Sequence, residues 1–228
     1  LGGFAEYESR WTLPQVIAHS YIPKAFRLKG KPLHGKNILV VGEQGIGDTI
    51  LMSRYIPMIE ALGGKIVLVC NPVLHRLFAH NFPRVRLYNF GQPHPPGGWW
   101  VPMMSLPYVF KTTPDTIPSL RLDPLPNKAV RKLGFHIGYV GAGNPLFMGD
   151  ADRSAPPDAL QPLLRLADRN GDVLLQHRLY FHDLSEAADK ARGFTDLADT
   201  ALLIAQLDLV VTVDTAIGHL AGALGVPT

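Results

Sequence analysis

Cysteine is nearly missing from this chain: among 228 residues there is only Cys70. One thiol excludes a disulfide scaffold and any zinc site built on cysteines. Long apolar runs are missing as well. The most apolar candidate, residues 49–70, is interrupted by Arg54, Glu60 and Lys65, so nothing reaches the ~18 uninterrupted apolar residues of a membrane span. The opening Leu-Gly-Gly-Phe-Ala-Glu has neither a basic n-region nor an apolar h-region and does not read as a secretory signal. Charged residues are sparse at 18%, against 46% hydrophobic, a balance that excludes global disorder and favours a buried core. The chain lacks an initiator Met and stops on Val-Pro-Thr directly after an apolar segment, which predicts a piece of something longer at both ends.

At roughly 150 residues per domain, the length suits one large α/β unit or two small ones. The formal net charge of +3 is unevenly spread: residues 1–132 carry 16 Lys/Arg against 7 Asp/Glu, and residues 133–228 carry 6 against 12. Such a split fits two lobes with different partners, or plain scatter of surface charge. The basic residues are dispersed rather than run together, so nucleic acid is not the expected partner.

Residues 1–36 read as irregular, with Pro14, Pro23 and Pro32 and little periodicity. Asn37–Val41 reads as a buried strand, followed by the loop Gly42-Glu-Gln-Gly-Ile-Gly-Asp48. Residues 49–62 have helical spacing, with Pro57 expected to kink the helix. Strands at 65–70 and 85–88 flank a short helix at 72–80, which completes a βαβαβ unit with a parallel sheet. A proline-rich stretch follows, with a short helix around 105–110, and Arg121-Leu-Asp-Pro-Leu-Pro-Asn127 reads as a linker spanning 121–132. The pattern then restarts: strands at 134–140, 172–176 and 208–213, and helices at 157–169, 183–192, 199–206 and 215–224. The expected organisation is a Rossmann-like lobe over 37–120 and a second over 133–228, the second ending before the strand that would follow Pro227.

Three segments have the residue types for chemistry. In Val213-Asp-Thr-Ala-Ile-Gly-His219 a buried strand runs into a helix with small residues in its first turn. The unpaired N–H groups and positive dipole end there suit an anion such as a diphosphate, and strand ends of an open parallel sheet are where ligands bind. The alternative is that Asp214 or Thr215 merely caps the helix. His219 lies one turn after Thr215 and is either a ligand contact or an ordinary helix histidine. The second segment is Gly141-Ala-Gly-Asn144 with Asp152-Arg-Ser154: two glycines permit close approach and Arg153 offers a bidentate fork to phosphate, or the whole is a surface loop with a solvated arginine. The third, Glu43-Gln-Gly-Ile-Gly-Asp48, is neither a Walker A loop nor a Gly-x-Gly-x-x-Gly fingerprint. Its carboxylate, just before a helix, serves as a general base or as an N-cap.

Taken in order, Glu6-Tyr-Glu-Ser-Arg-Trp11, Glu43-Gln-Gly-Ile-Gly-Asp-Thr49, Met104-Ser-Leu-Pro107, Thr113-Pro-Asp-Thr-Ile117, Gly141-Ala-Gly-Asn-Pro145 with Asp152-Arg-Ser154, and the stretch from Asp196 to Pro227 resemble glycosyltransferase family 9. That group holds the lipopolysaccharide heptosyltransferases and their relatives. The chain is most similar to the glycosyltransferase domain that follows tetratricopeptide repeats in many bacterial proteins, and Glu6–Trp11 resembles the end of such an array. The resemblance implies a GT-B fold, α/β with two Rossmann-like domains facing across a cleft, the acceptor on the first and the nucleotide sugar on the second. It implies inverting, metal-independent transfer without a cofactor from a nucleoside diphosphate sugar, ADP-linked by analogy, to a glycan, glycolipid or protein acceptor. On that pattern Asp48 is the catalytic base, with Gln44, Gly45 and Gly47 on the acceptor-side loop. The donor and its phosphates fall to Asn144, Arg153, Ser154, Asp214, Thr215, Ala216, Gly218 and His219. A cytoplasmic location, peripheral at the inner membrane, would follow, and the basic first lobe would suit an acidic acceptor or an anionic surface. Two departures from the family pattern are Gln176-His-Arg178, which lacks a glycine relatives carry there, and Arg153 in place of lysine. The absent last strands and terminal helix imply weak donor binding and slow or no turnover by the piece on its own. The other readings are a protein glycosyltransferase of the repeat-fused type and a non-catalytic GT-B scaffold that binds a partner.

Overall fold

The computed structural model describes residues 2–14, 26–95, 98–126, 134–143, 150–156, 158–159, 161–162, 174–178 and 195–228. The chain divides into two compact units, Leu1–Leu120 and Arg121–Thr228.

The first unit is built on a five-stranded, wholly parallel sheet. Its strands are β1 (Phe26–Arg27), β2 (Asn37–Val41), β3 (Lys65–Val69), β4 (Arg86–Tyr88) and β5 (Trp99–Pro102), in the order β1-β5-β2-β3-β4. β2 and β3 read as uninterrupted apolar runs because strands covered on both faces have no solvent side to alternate toward. From Ile38 to Val41 and from Ile66 to Val69 every residue is buried. Leu39, Val41, Val67, Val69 and Trp100 form one cluster, with Trp11 and Tyr88 packed against it. Trp11 meets Trp100 edge to face, with ring centroids 5.8 Å apart.

Helices α1 (Gly2–Tyr7), α2 (Ile46–Met52), α3 (Ile56–Ala61), α4 (His75–Asn81) and α5 (Leu106–Val109) complete the unit, with 3-10 turns at Glu8–Thr12, Ser53–Tyr55, Pro72–Leu74, Met103–Ser105 and Pro114–Thr116. The helical pattern over 49–62 is broken into α2 and α3 by the turn Ser53–Tyr55, and Pro57 sits in the first turn of α3, where its missing N–H costs nothing. Two features depart from the sequence expectation. Residues 2–12 are helical and Phe26–Arg27 is an edge strand, although 1–36 reads as irregular. β5 was not anticipated at all, because Trp99–Pro102 is a four-residue strand inside a proline- and glycine-rich stretch. It nevertheless lies between β1 and β2.

In the second unit the strands β6 (Phe135–Val140), β7 (Leu174–Arg178) and β8 (Leu209–Thr212) are parallel, in the order β7-β6-β8. Its helices among the described residues are α6 (Asp150–Arg153), α7 (Leu197–Ile204) and α8 (Ala216–Leu224). Asp196 caps α7 by accepting the Ala198 N–H at 2.9 Å, and α8 ends on Gly225 in the left-handed region at φ +74°. Leu122, in the stretch expected to link the lobes, is fully buried and its N–H donates to Ala223 O at 2.8 Å. After α8 the chain returns beside β8, where the Val210 N–H donates to Pro227 O at 2.8 Å. The helix expected over 183–192 and most of the one over 157–169 fall outside the described residues.

Candidate active site

Both sheets change direction beside their founding strand. From β2 the chain proceeds outward to β3 and β4 and then crosses back to place β5 on the other side of β2. From β6 it goes to β7 and later returns to place β8 on the other side of β6. Loops leaving two such strands part in opposite directions and open a crevice at their carboxyl ends, the usual ligand position in an open α/β sheet. The sequence motifs fall at both of these points.

In the first unit, the loop after β2 carries Glu43, Gln44, Gly45 and Gly47 into α2. Asp48 lies in the first turn of that helix, partly exposed, and its Oδ2 accepts the Gly45 N–H at 2.8 Å. Capping, one of the two roles open to this carboxylate, is thus realised; it occupies one oxygen with a single bond. Gln44 is held at φ +61°, and its Nε2 meets the Tyr7 hydroxyl. Glu43 was not singled out as a site residue, yet it is the hub. Its Oε1 accepts from Arg10 Nη2 at 2.8 Å and from the Met104 N–H at 3.0 Å, and its Oε2 accepts from Arg10 Nε at 3.3 Å. Arg10 Nη2 also donates to Ser105 Oγ at 2.9 Å, and Nη1 donates to Glu8 Oε1 at 3.0 Å and Tyr7 O at 3.1 Å. The guanidinium lies over the rings of Tyr7 (4.3 Å) and Trp11 (5.0 Å). Burial works against the Arg10 charge, but Glu43 and Glu8 outweigh it and hold its pKa above the ordinary value. Three of the sequence motifs, at 6–11, 43–49 and 104–107, therefore meet at one buried ion pair. Beside it, Gly3, Phe4, Tyr7, Met52, Met104 and Pro107 line an apolar cavity of about 400 Å³. Met52 lies one helical turn after Asp48 on the same face of α2.

In the second unit, the loop after β6 runs through Gly141–Gly143, and the chain is next described at α6. Asp150 organises this corner: its Oδ1 accepts from Arg153 Nε at 3.2 Å, its Oδ2 accepts from Ser154 Oγ at 3.0 Å, and Ser154 Oγ in turn accepts the Gly143 N–H at 2.9 Å. A Cβ at Gly143 would run into the Asp150 carboxylate and lie 2.6 Å from Arg153 Nε, so any other residue would require these side chains to shift. Asn144 lies outside the described residues.

The loop after β8 is stitched to this corner at its root, where the Val213 N–H donates to Val140 O at 3.0 Å. Thr215 precedes α8 without capping it; its hydroxyl pairs with Thr212 Oγ1 at 3.1 Å. Ala216 opens the helix. The Gly218 N–H donates back to Thr215 O at 3.1 Å, and a Cβ there would sit 3.0 Å from Thr212 Cγ2, so Gly218 serves the close packing of α8 on β8. Asp214 is 82% exposed, and its Oδ1 is 4.0 Å from His219 Nε2. The structure thus brings Arg153, Ser154, Asp214, Thr215, Ala216, Gly218 and His219 to the ends of two adjacent strands. Asp150 was missed, although its spacing of three and four residues from Arg153 and Ser154 on a helix would have pointed to it. Among the described residues, no group of three or more His, Cys, Asp or Glu could hold a metal ion, and no helix is long and apolar enough to cross a membrane.

Residues 185–228, which include α7, β8 and α8, match the profile described as glycosyltransferase family 9 (heptosyltransferase). This stretch is similar to the heptosyltransferases of glycosyltransferase family 9. The fold of the chain agrees with solved glycosyltransferases of the GT-B kind. The iron-containing dodecameric glycosyltransferase TibC from enterotoxigenic E. coli H10407 matches with a TM-score of 0.64 at 12% identity, covering 86% of this chain and 58% of TibC. E. coli heptosyltransferase WaaC, solved with ADP-2-deoxy-2-fluoro heptose, matches with a TM-score of 0.54 at 14% identity, covering 83% of this chain and 86% of WaaC. In sequence, the chain is 26% identical to Protein FlbA of Caulobacter vibrioides over 265 residues, covering 99% of this chain and 44% of FlbA. The chain thus spans less than half the length of this curated relative.

Proposed function

We propose that this chain supplies the acceptor-side and donor-side units of an inverting glycosyltransferase that uses a nucleoside diphosphate sugar. The observation that carries the reading is the convergence of Arg153, Ser154 and the start of α8 at the joined ends of β6 and β8. Arg153 offers a planar cation and the first turn of α8 offers backbone N–H groups, both suited to a diphosphate leaving group. Stabilising that departing charge would do the work a metal ion does elsewhere, so transfer is expected to proceed without one. Asp48 accepts the proton of the acceptor hydroxyl as its oxygen bonds to C1 of the sugar and the C1–O bond to the diphosphate breaks. Asp214 and His219 shape the donor pocket. TibC has been solved with ADP-D-beta-D-heptose, which favours an ADP-linked heptose as the first donor to try. The acceptor is a glycan, a glycolipid or a protein, bound on the first unit.

Thermal unfolding with ADP, UDP, GDP and CDP, with and without EDTA, tests the donor half. At about 100-fold excess over Kd, a ligand adds ~2.7 kcal/mol of apparent stability. For a chain of this size that is roughly 5–10 °C. A shift with one nucleotide that survives EDTA and disappears in Arg153→Ala is the expected result. No shift with any of the four would favour a partner-binding scaffold over an enzyme.

A further inference from the structure

The buried Arg10–Glu43 pair does more than join two elements, because of where the loop it grips leads. Glu43 and Gln44 are consecutive, and both are held by the N-terminal turn: Glu43 by Arg10, and Gln44 by the Tyr7 hydroxyl. Gln44 adopts φ +61°, a conformation that a residue with a side chain avoids unless its surroundings enforce it. The next residue, Gly45, is extended and donates its N–H to Asp48 Oδ2. The backbone path from the ion pair to the Asp48 carboxylate is therefore five residues long and passes through one strained position.

On the other flank Arg10 and Glu43 also hold the turn after β5, through Ser105 Oγ and the Met104 N–H. The two loops that diverge at the strand-order switch of the first unit are fixed to each other by this one ion pair. A fork of this shape needs arginine: Nε and Nη2 bind the two oxygens of one carboxylate while Nη1 reaches Glu8 and Tyr7 O, a pattern a single ammonium cannot reproduce.

We propose that Arg10 is a positioning residue for Asp48: by clamping Glu43 it holds Gln44 in its left-handed conformation and sets the loop that orients the Asp48 carboxylate. The N-terminal turn, which belongs to no strand or helix of the sheet layers, is then part of the acceptor-side machinery. This rests on the reading of Asp48 as the base, and the test separates the two.

The comparison uses the full chain, Arg10→Lys, the double variant Arg10→Met with Glu43→Met, and Asp48→Asn. The readouts are melting temperature, amide hydrogen exchange at residues 45–49 against β2 and β3, and release of ADP from ADP-heptose. Replacing both members of a buried ion pair by apolar side chains generally preserves stability, so the double variant should melt close to the parent. The expected result is exchange at 45–49 accelerated at least tenfold in Arg10→Lys and in the double variant, with β2 and β3 unchanged. The kcat for ADP release should fall by tenfold or more while KM for the donor holds. Parental exchange at 45–49 in both variants, or a kcat that recovers with stability in the double variant, would overturn the proposal. Asp48→Asn releasing ADP at the parental rate would instead sink the base reading. If the parent itself releases no ADP, the exchange measurement still decides whether Arg10 sets the loop.

Discussion

At the end of β2 the side chains of Arg10 and Glu43 are 8% and 11% exposed, whereas at the end of β8 those of His219 and Asp214 are 32% and 82% exposed. Both pairs occupy the switch point of a parallel sheet, and both set a basic side chain beside a carboxylate. In the first unit the charges are desolvated, and each oxygen of Glu43 is bonded to Arg10. Such a pair tolerates burial only because its hydrogen bonds are made, and it has little capacity left for a ligand. In the second unit the His219–Asp214 contact is long and open to solvent, and Arg153 is 29% exposed beside Asp150. On the proposed reading, these partly exposed side chains at the strand ends are what a bound diphosphate would meet. The same topology thus carries a closed, hydrogen-bonded pair in one unit and partly exposed side chains in the other.

Breaking the closed side should produce the largest effect. Arg10→Ala leaves the buried Glu43 carboxylate unpaired and is expected to cost about 3–5 kcal/mol. That corresponds to a fall in melting temperature of roughly 10 °C, checked by calorimetry. The equivalent truncation on the open side should act on affinity. Arg153→Ala removes a charge-assisted contact of about 1.5–3 kcal/mol, so ADP binding by titration calorimetry should weaken by roughly tenfold or more. Its melting temperature should stay close to the parent, because a partly exposed ion pair contributes about 0–1 kcal/mol. Were Arg153→Ala to destabilise as much as Arg10→Ala, the contrast between the units would be lost.

A smaller change sharpens it. Gly143→Ala places a methyl group against the Asp150 carboxylate and Arg153. Shifting them should cost on the order of 1 kcal/mol, read as a several-fold loss of ADP affinity. The smallest effect is expected at Cys70, which is fully buried at the end of β3, where burial pushes its thiol up to about 12. The folded chain at pH 8 should resist iodoacetamide, as followed by mass spectrometry, and react only when unfolded. Labelling at a rate close to that of a free thiol would show that the first unit opens where it is drawn closed.

The parallel strands β2 and β3 were legible because they are buried on both faces, which leaves apolar runs between loops, and β6 and β8 because short runs rich in β-branched and aromatic residues end at glycine or turn residues. The glycines at 45, 143 and 218 and the polar residues beside them marked the strand ends for a related reason: close approach restricts residue size, and that restriction is written locally. Strand β5 escaped because four residues flanked by proline carry too little periodicity, although its neighbours make it central. Arg10 escaped differently. A charged residue looks the same in sequence whether it is solvated or buried.

What the sequence by itself determined, then, is the set of elements and the loops that end them, since backbone propensity, apolar patterning and the need for glycine act over a few residues. Tertiary structure decided which of these loops share a switch point, that Arg10 closes on Glu43 across 33 residues and on Ser105 across 95, and that Asp150 turns Arg153 and Ser154 toward Gly143. Those pairings depend on strand order, and strand order is fixed by how whole helices and strands pack, at distances along the chain where local pattern carries no information.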